Sequence, residues 1–383
     1  MFSNAKNIID QGLGKSPFFA HTFRSKKVAF SHWNKNYRWI SLLLIVGFLL
    51  SACTGASERS DFLAPVTGDE EITGRLIIYS GRSEPLIQPV LAEFNMKYPE
   101  VEILLRSGRN SELANALIEE QNNPQADVFV STELFTIQAL NNAGIFQSYH
   151  PQAANELPTE AIGPDNNWVG LTRRARVIMY NTELVSPEDV PQSIFDLTDP
   201  RWRGQIAAAG STNGSMQAQI AAMRQLLGEE NTEEWLRGLQ ANDTVFFGSH
   251  TDVRTAVGLG EFQLGLVNHY YYHLQLEEGS PVGIVYPDQG EDQIGLLTNL
   301  TAVGIVSGAP NPQAAQAFVD YLLSSEGQQL FSELNYEYPL VEGVPLQSQV
   351  ETLEQFRLAD INVAEAARDL DQTFALFEKL GIP

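Results

Sequence analysis

The residues Asn268-His269-Tyr270-Tyr271-Tyr272-His273 put three phenols and two imidazoles at the end of an apolar run, Phe262 to Val267. A phenol ordinarily titrates near pH ~10, so it ligates at neutral pH only where a strong positive charge stabilises the phenolate, as bound metals do for water and thiols. Hard cations prefer oxygen donors, and phenolate is among the most basic oxygens a protein supplies. That chemistry points to Fe(III). An extended chain sends neighbouring side chains to opposite faces, so Tyr270 and Tyr271 converge on one ion only where a strand gives way to a helix. The simpler reading is that consecutive tyrosines are good strand formers whose rings pack in a half-buried sheet. His269 and His273, four residues apart, would share a helix face and either hold a divalent metal or pack.

Two further stretches suit an anion. Thr172-Arg173-Arg174-Ala175-Arg176 reads as a basic loop between strands Trp168 to Leu171 and Val177 to Tyr180, free to bind an anion, hold a carboxylate or simply meet solvent. Gly210-Ser211-Thr212-Asn213-Gly214-Ser215 opens a helical run from Met216 to Leu227 and would present free backbone N–H groups, as a cap or as an anion cradle. The chain has no HExxH, GxSxG or phosphate-loop pattern, so the sequence offers little to an enzymatic reading.

These residues sit among alternating strand and helix patterns. Leu76 to Ser80, Val101 to Leu105 and Ala126 to Val130 read as strands. Leu86 to Tyr98 and Ser111 to Gln121, the latter with Ser111 as N-cap, read as the helices between them. This βαβαβ opening implies a parallel sheet with ligand-facing loops at the carboxyl ends of its strands. Thr232 to Leu239 and Thr251 to Val257 are expected helices, and Val245 to Gly248, Val282 to Tyr286 and Leu300 to Val306 expected strands. Asn311-Pro312 is a helix-start signal, and Gly327 interrupts the helix it begins. Val350 to Leu380 reads as amphipathic and helical.

At the other end, basic residues from Arg24 to Arg38 precede an apolar run, Ile40 to Leu50, too short for a confident membrane span. It closes on Leu50-Ser51-Ala52-Cys53, a lipobox, so residues 1–52 read as a signal peptide and Cys53, the single cysteine, as a lipidated first residue. One cysteine excludes disulfides and CxxC metal sites. Thr54 to Gly74 reads as a flexible tether. The whole chain carries 24 basic and 47 acidic residues, a net charge of −23. Such a surface disfavours nucleic acid and anionic lipid. The length beyond the tether exceeds what one core usually holds, so two lobes are expected.

Seven motifs, in order, carry a resemblance: Tyr79-Ser80-Gly81-Arg82, Ser107-Gly108-Arg109, Ala126-Asp127-Val128-Phe129, Arg174-Ala175-Arg176-Val177, Trp202-Arg203-Gly204, Asn268-His269-Tyr270-Tyr271 and Asn311-Pro312-Gln313-Ala314-Ala315. From about Leu76 to the C-terminus the chain resembles the ferric-ion-binding periplasmic proteins of bacterial ABC iron importers. The resemblance implies an α/β fold of the two-lobed class II periplasmic-binding-protein type, each lobe a mostly parallel sheet flanked by helices, with strand crossovers at a hinge. Its lobes would be residues 75–172 plus about 300–345, and 173–299 plus about 346–383. It further implies Tyr270 and Tyr271 as iron ligands, and Arg174, Asn213, Gly214, Ser215 and Asn268 around a synergistic anion, carbonate or phosphate. Many members have a His or Tyr ligand where this chain has Ser83-Glu84, and some a glutamate where it has Thr132-Glu133, so Glu84 and Glu133 are the first-lobe candidates. The implied protein is a monomeric, periplasmic, lipid-anchored carrier that serves an ABC permease and its ATPase. The rival is a binding protein of the same fold for an organic or phosphorylated anion, held by the arginines and the Asn213 loop.

Overall fold

The computed structural model describes residues 71–383. The expected signal peptide, Cys53 and most of the tether lie outside the described residues. Ile72, read from sequence as tether, is buried in a core.

The described residues open as expected, with parallel strands joined by helices. Strands β1 (Gly74–Ser80), β2 (Val101–Ser107) and β3 (Val128–Ser131) alternate with helices α1 (Glu84–Lys97), α2 (Asn110–Glu119) and α3 (Leu134–Asn142). Helix α1 buries Ile87, Val90, Leu91 and Phe94, a helical spacing that fixes its inward face. Helix α2 has Arg109 at its N-cap, two residues ahead of the Ser111 cap that the sequence suggests.

Strand β4 (Val169–Asn181) departs from the sequence reading most. The basic stretch is no loop; it is the middle of one thirteen-residue strand. Three arginines in four residues hide the period-two pattern. Yet Arg174 and Arg176, two apart, are both buried while Arg173 is half-exposed and pairs with Glu160 at 2.8 Å.

Beyond it come β5 (Ile206–Ala209), α4 (Gly214–Leu227), α5 (Glu229–Ala241), β6 (Val245–Phe247), α6 (His250–Gly258), β7 (Leu264–Asn268), α7 (His269–Glu277) and β8 (Val282–Val285). The chain returns through β9 (Thr298–Ile305), α8 (Pro312–Leu322), α9 (Ser325–Asn335) and β10 (Tyr338–Pro339), and ends in α10 (Val363–Arg368) and α11 (Leu370–Leu380). Asn311 caps α8 as expected, its side chain accepting from the Ala314 N–H at 3.3 Å. The break between α8 and α9 belongs to Ser324, which caps α9. Gly327 sits inside the first turn of α9, where a Cβ would stand 2.1 Å from the Tyr321 carbonyl oxygen. The last segment holds two short helices rather than one long one, because residues 350–362 form only a short turn at Leu353–Gln355 and then pair, at Leu358, with Leu296 between β8 and β9.

The strands form one path, β2-β1-β3-β9-β4-β7-β5-β6, with β8 and β10 also on β4. Its two halves are separate sheets that share β4: Val169–Ala175 pairs antiparallel with β9, and Arg176–Tyr180 pairs antiparallel with β7. One core gathers the apolar faces of β1, β2, β3, β9, α1 and α8; a second gathers those of β5, β7, α4, α5 and α11. A third cluster, with Ala175, Val177, Val267, Tyr270, Leu296 and Tyr338, packs where β4 passes from one sheet to the other. This is the expected two-lobed fold.

Candidate functional site

A cavity of about 370 Å³ opens between the two lobes at the carboxyl ends of the parallel strands. Helix starts surround it. Its lining includes Ser83 and Glu84 at the start of α1, Arg109 and Asn110 at α2, Asn213 to Ser215 at α4, Ser249 and His250 at α6, and Tyr270 and Tyr271 at α7. A helix start presents unpaired N–H groups and about half a positive charge.

The tyrosine pair lies where the sequence places it, on the first turn after β7. The two rings are 4.3 Å apart, centroid to centroid, and tilted by 33°. Tyr270 is buried and Tyr271 half-buried. Burial and the neighbouring Tyr270 push the Tyr271 pKa well above that of a free phenol, with Arg174 and Arg82 pulling the other way. At rest this phenol stays protonated.

The polar layer behind the rings is held by β4. Arg176 donates from Nε to Gln219 Oε1 at 2.9 Å and from Nη1 to Asn268 Oδ1 at 3.2 Å, with His250 Nε2 also at 3.0 Å from Nη1. Asn268 in turn donates to Ser215 Oγ at 3.1 Å. Asn268 therefore braces the α4 loop and Arg176 from behind, outside the cavity lining. Asn213 caps α4, its Oδ1 accepting from the N–H groups of Ser215 at 3.0 Å and Met216 at 3.2 Å. Burial, together with Arg176 and Arg174, lowers the His250 pKa well below its usual range, so His250 is neutral beside the Tyr271 ring, 5.2 Å away.

Arg174 stands apart. It is 2% exposed and lines the cavity, yet its Nε and Nη2 meet no acceptor. On the other wall Arg82, buried as well, binds the Glu337 carboxylate through Nη2 and, at 3.2 Å, through Nη1. Glu337 also accepts from Thr172 Oγ1. Burial alone would raise the Glu337 pKa, but the Arg82 charge outweighs it and holds the carboxyl below its ordinary value.

The two first-lobe candidates fare differently. Glu84 lines the cavity and is exposed. Glu133 is buried outside the lining and caps α3, accepting from the N–H groups of Phe135 at 2.6 Å and Thr136 at 3.0 Å. A carboxylate committed to a helix start is a poor metal ligand.

Of the two histidines one is committed, while His273 keeps both ring nitrogens without a hydrogen-bond partner among the described residues. His269 Nδ1 accepts from the Ala175 N–H at 3.2 Å, so Nε2 carries the proton and donates to the Tyr336 carbonyl at 2.8 Å. No lone pair remains for a metal. His273 lies 6.2 Å from it, ring to ring, stacked against Tyr336. Among the described residues no cluster of three or more His, Cys, Asp or Glu could hold an ion.

Sequence reasoning missed Arg82, Arg109 and His250 as wall residues. A signal was present: Ser-Gly-Arg occurs at Ser80-Gly81-Arg82 and again at Ser107-Gly108-Arg109, closing two adjacent parallel strands at the end where ligands bind.

Comparisons with known proteins agree on one family. Residues 123–364 match the model of the bacterial extracellular solute-binding proteins. Iron uptake protein A1 of Synechocystis sp. is 31% identical over 324 residues, 82% of this chain and 88% of that protein. Iron-bound HitA from Pseudomonas aeruginosa superposes with a TM-score of 0.74 at 27% identity, covering 80% of this chain and 99% of that one. Trichodesmium IdiA (FutA), solved in complex with iron and citrate ligands, gives 0.66 at 30% identity, covering 81% and 100%.

Proposed function

The chain belongs to the bacterial extracellular solute-binding proteins, and from that premise we propose that it captures Fe(III) with an anion in the interlobe cavity and delivers it to an ABC permease. Tyr270 and Tyr271 are the metal ligands in this reading, with Glu84 the one carboxylate in the lining able to join them. Arg174 and the Asn213-Gly214-Ser215 turn hold the anion, carbonate or phosphate, which fills coordination positions the protein leaves open.

The observation that carries the reading is the pairing of two phenols with a cavity poor in carboxylates and rich in guanidinium. A divalent cation would face Arg82 and Arg174 with only Glu84 to attract it. A trivalent ion strong enough to displace phenolic protons, accompanied by an anion that neutralises Arg174, suits the same walls. Ligand-bridged lobes close only in proportion to the ligand's preference for the closed form, and release requires reopening, reduction of the iron or return of the phenolic protons. Cys53 would anchor the carrier to a membrane through its lipid, in the periplasm and as a monomer.

The test is to add Fe(III) and bicarbonate to the purified protein and record its visible spectrum, with Tyr270→Phe/Tyr271→Phe as control. A phenolate-to-iron band in the wild type that disappears in the double variant is expected. A band unchanged by the double substitution removes the tyrosines from the metal. Arg174 favours a second reading, an organic or phosphorylated anion bound without metal, and this predicts anion binding with no band in the wild type.

A further inference from the structure

Three consecutive residues at the end of α9 connect the first-lobe wall to the helix that carries the tyrosine pair. Asn335 donates from Nδ2 to the Leu86 carbonyl at 3.0 Å, and Glu337 holds Arg82; Leu86 and Arg82 both line the cavity. Between them, the Tyr336 carbonyl accepts from the Nε2–H of His269, the first residue of α7, at 2.8 Å. Tyr336 makes this link from a left-handed conformation, φ 56° and ψ 21°. A buried tyrosine keeps such a backbone only where the surrounding contacts hold it there.

His269 is buried and fixed on every side. Its Nδ1 accepts from the Ala175 N–H, at the point where β4 passes from its β9 partner to its β7 partner. Tyr338 stacks on its face, 4.4 Å between centroids and 19° between planes, and the Tyr270 ring meets it edge-on at 5.9 Å and 86°. A ring with both nitrogens bonded and a neighbour on its face is locked in one orientation, and it holds the phenol it touches. The two hydrogen bonds reach different places. The one to Ala175 ends on the strand that both sheets share. The one to Tyr336 ends on α9, whose Phe331 is buried in the core that gathers β1, β2, β3 and α1.

We infer that His269 is a positioning residue: through its bond to Tyr336 it sets the Tyr270 and Tyr271 phenols against the first-lobe wall, so that the tyrosine-bearing helix and that wall shift together. The metal it serves rests on the Fe(III) reading of the same cavity; the coupling of α7 to α9 does not. Iron held by the phenols of one lobe is retained while the other lobe stays over it. The segment Asn335-Tyr336-Glu337 is the connection that keeps it there, with one end on Leu86, the other on Arg82 and His269 at its middle.

The test takes the two hydrogen bonds one at a time. In His269→Asn the side-chain oxygen can replace Nδ1 as acceptor for Ala175, and the donor to Tyr336 is lost. In His269→Gln the amide can replace Nε2–H, and the acceptor for Ala175 is lost. Each purified variant is loaded with Fe(III) and bicarbonate, and iron loss to a competing chelator is followed beside the melting temperature. His269→Asn is expected to lose iron at least about fivefold faster than the wild type and His269→Gln within about twofold of it, the scale of one buried hydrogen bond lost or kept, whatever the order of their melting temperatures. Equal loss from the two variants, or faster loss from His269→Gln, overturns the positioning role and leaves His269 a packing residue. Should neither variant fold, Tyr338→Leu, which removes the stacked ring and neither His269 bond, is expected to speed iron loss by about threefold; loss at the wild-type rate overturns the role. If the wild type shows no iron band, the iron reading falls and hydrogen exchange of the iron-free proteins decides. Faster amide exchange over residues 269–272 in His269→Asn than in His269→Gln keeps the coupling of α7 to α9, and equal exchange overturns it.

Discussion

The two walls of the cleft are built from the same kind of element and differ in what they offer. Each presents helix starts at the ends of parallel strands. The second-lobe wall carries the phenols of Tyr270 and Tyr271, braced through Asn268, Arg176 and Gln219. The first-lobe wall carries hydroxyls, uncapped N–H groups, Arg109 and one exposed carboxylate. Its buried acids are engaged elsewhere: Glu133 caps α3, and Glu337 neutralises Arg82. Under the proposed reading, the contrast assigns the metal to the second lobe and its cover to the first.

If that division is right, the largest effect comes from the second lobe. Tyr270→Phe/Tyr271→Phe should abolish the iron band and lower iron affinity by at least about a hundredfold, the loss of two charge-assisted ligands, in a competition titration. Retained affinity would place the metal elsewhere.

Next comes the ion pair under the first-lobe wall. Glu337→Gln leaves Arg82 buried without its counter-charge and should lower folding stability by about 3–5 kcal/mol, read from urea denaturation. The pH dependence is set by the sign of the shift. A carboxyl held below its ordinary value stabilises the fold above the unfolded pKa of about 4.3, and that contribution is lost as pH falls through the folded value. The melting temperature of the wild type should therefore drop on acidification below about pH 4.3, and that of Glu337→Gln should drop less over the same range. Parallel curves would show that Glu337 is not ionised against Arg82.

A third variant probes how closely the walls meet. A Cβ on Gly214 would stand 3.0 Å from Asn110 Nδ2 and 3.1 Å from Thr132 Oγ1, both across the cleft. Gly214→Ala should cost about 1 kcal/mol of closure, roughly fivefold in affinity, without lowering the melting temperature. The smallest effect is expected at Glu84. Exposed on the lining, its change to Gln should weaken iron retention by about threefold or less; a larger loss would promote it to a full ligand and erase the contrast between the walls.

Much of this arrangement is legible in the chain. An apolar run ending in Asn268 followed by paired tyrosines marks a strand-to-helix step, and α7 begins at His269 as that step requires. The alternation of strand and helix patterns announces the two sheets. What is not legible is long-range. Arg82 and Glu337 are separated by 255 positions, and no local pattern pairs them. Arg174 and Arg176 look like a solvated loop because consecutive charges seldom form a buried strand, and the partners on α4, α6 and β7 make it tolerable for Arg176. Glu133 is unreadable for the opposite reason: a carboxylate beside the expected ligand position is chemically apt, yet the nearest unpaired N–H groups claim it.

Strand β4 runs unbroken through both sheets, with Arg174 registered against Asn299 on one side and Arg176 against Asn268 on the other. Were the two halves to swing about this shared strand, the Arg174 guanidinium would sit beside the pivot and move least. The outer edges, farthest from that axis, sweep the greatest arc. A small adjustment around the guest is magnified there as by a lever, so a membrane partner touching only the rims would sense whether the carrier is laden without reaching the freight itself.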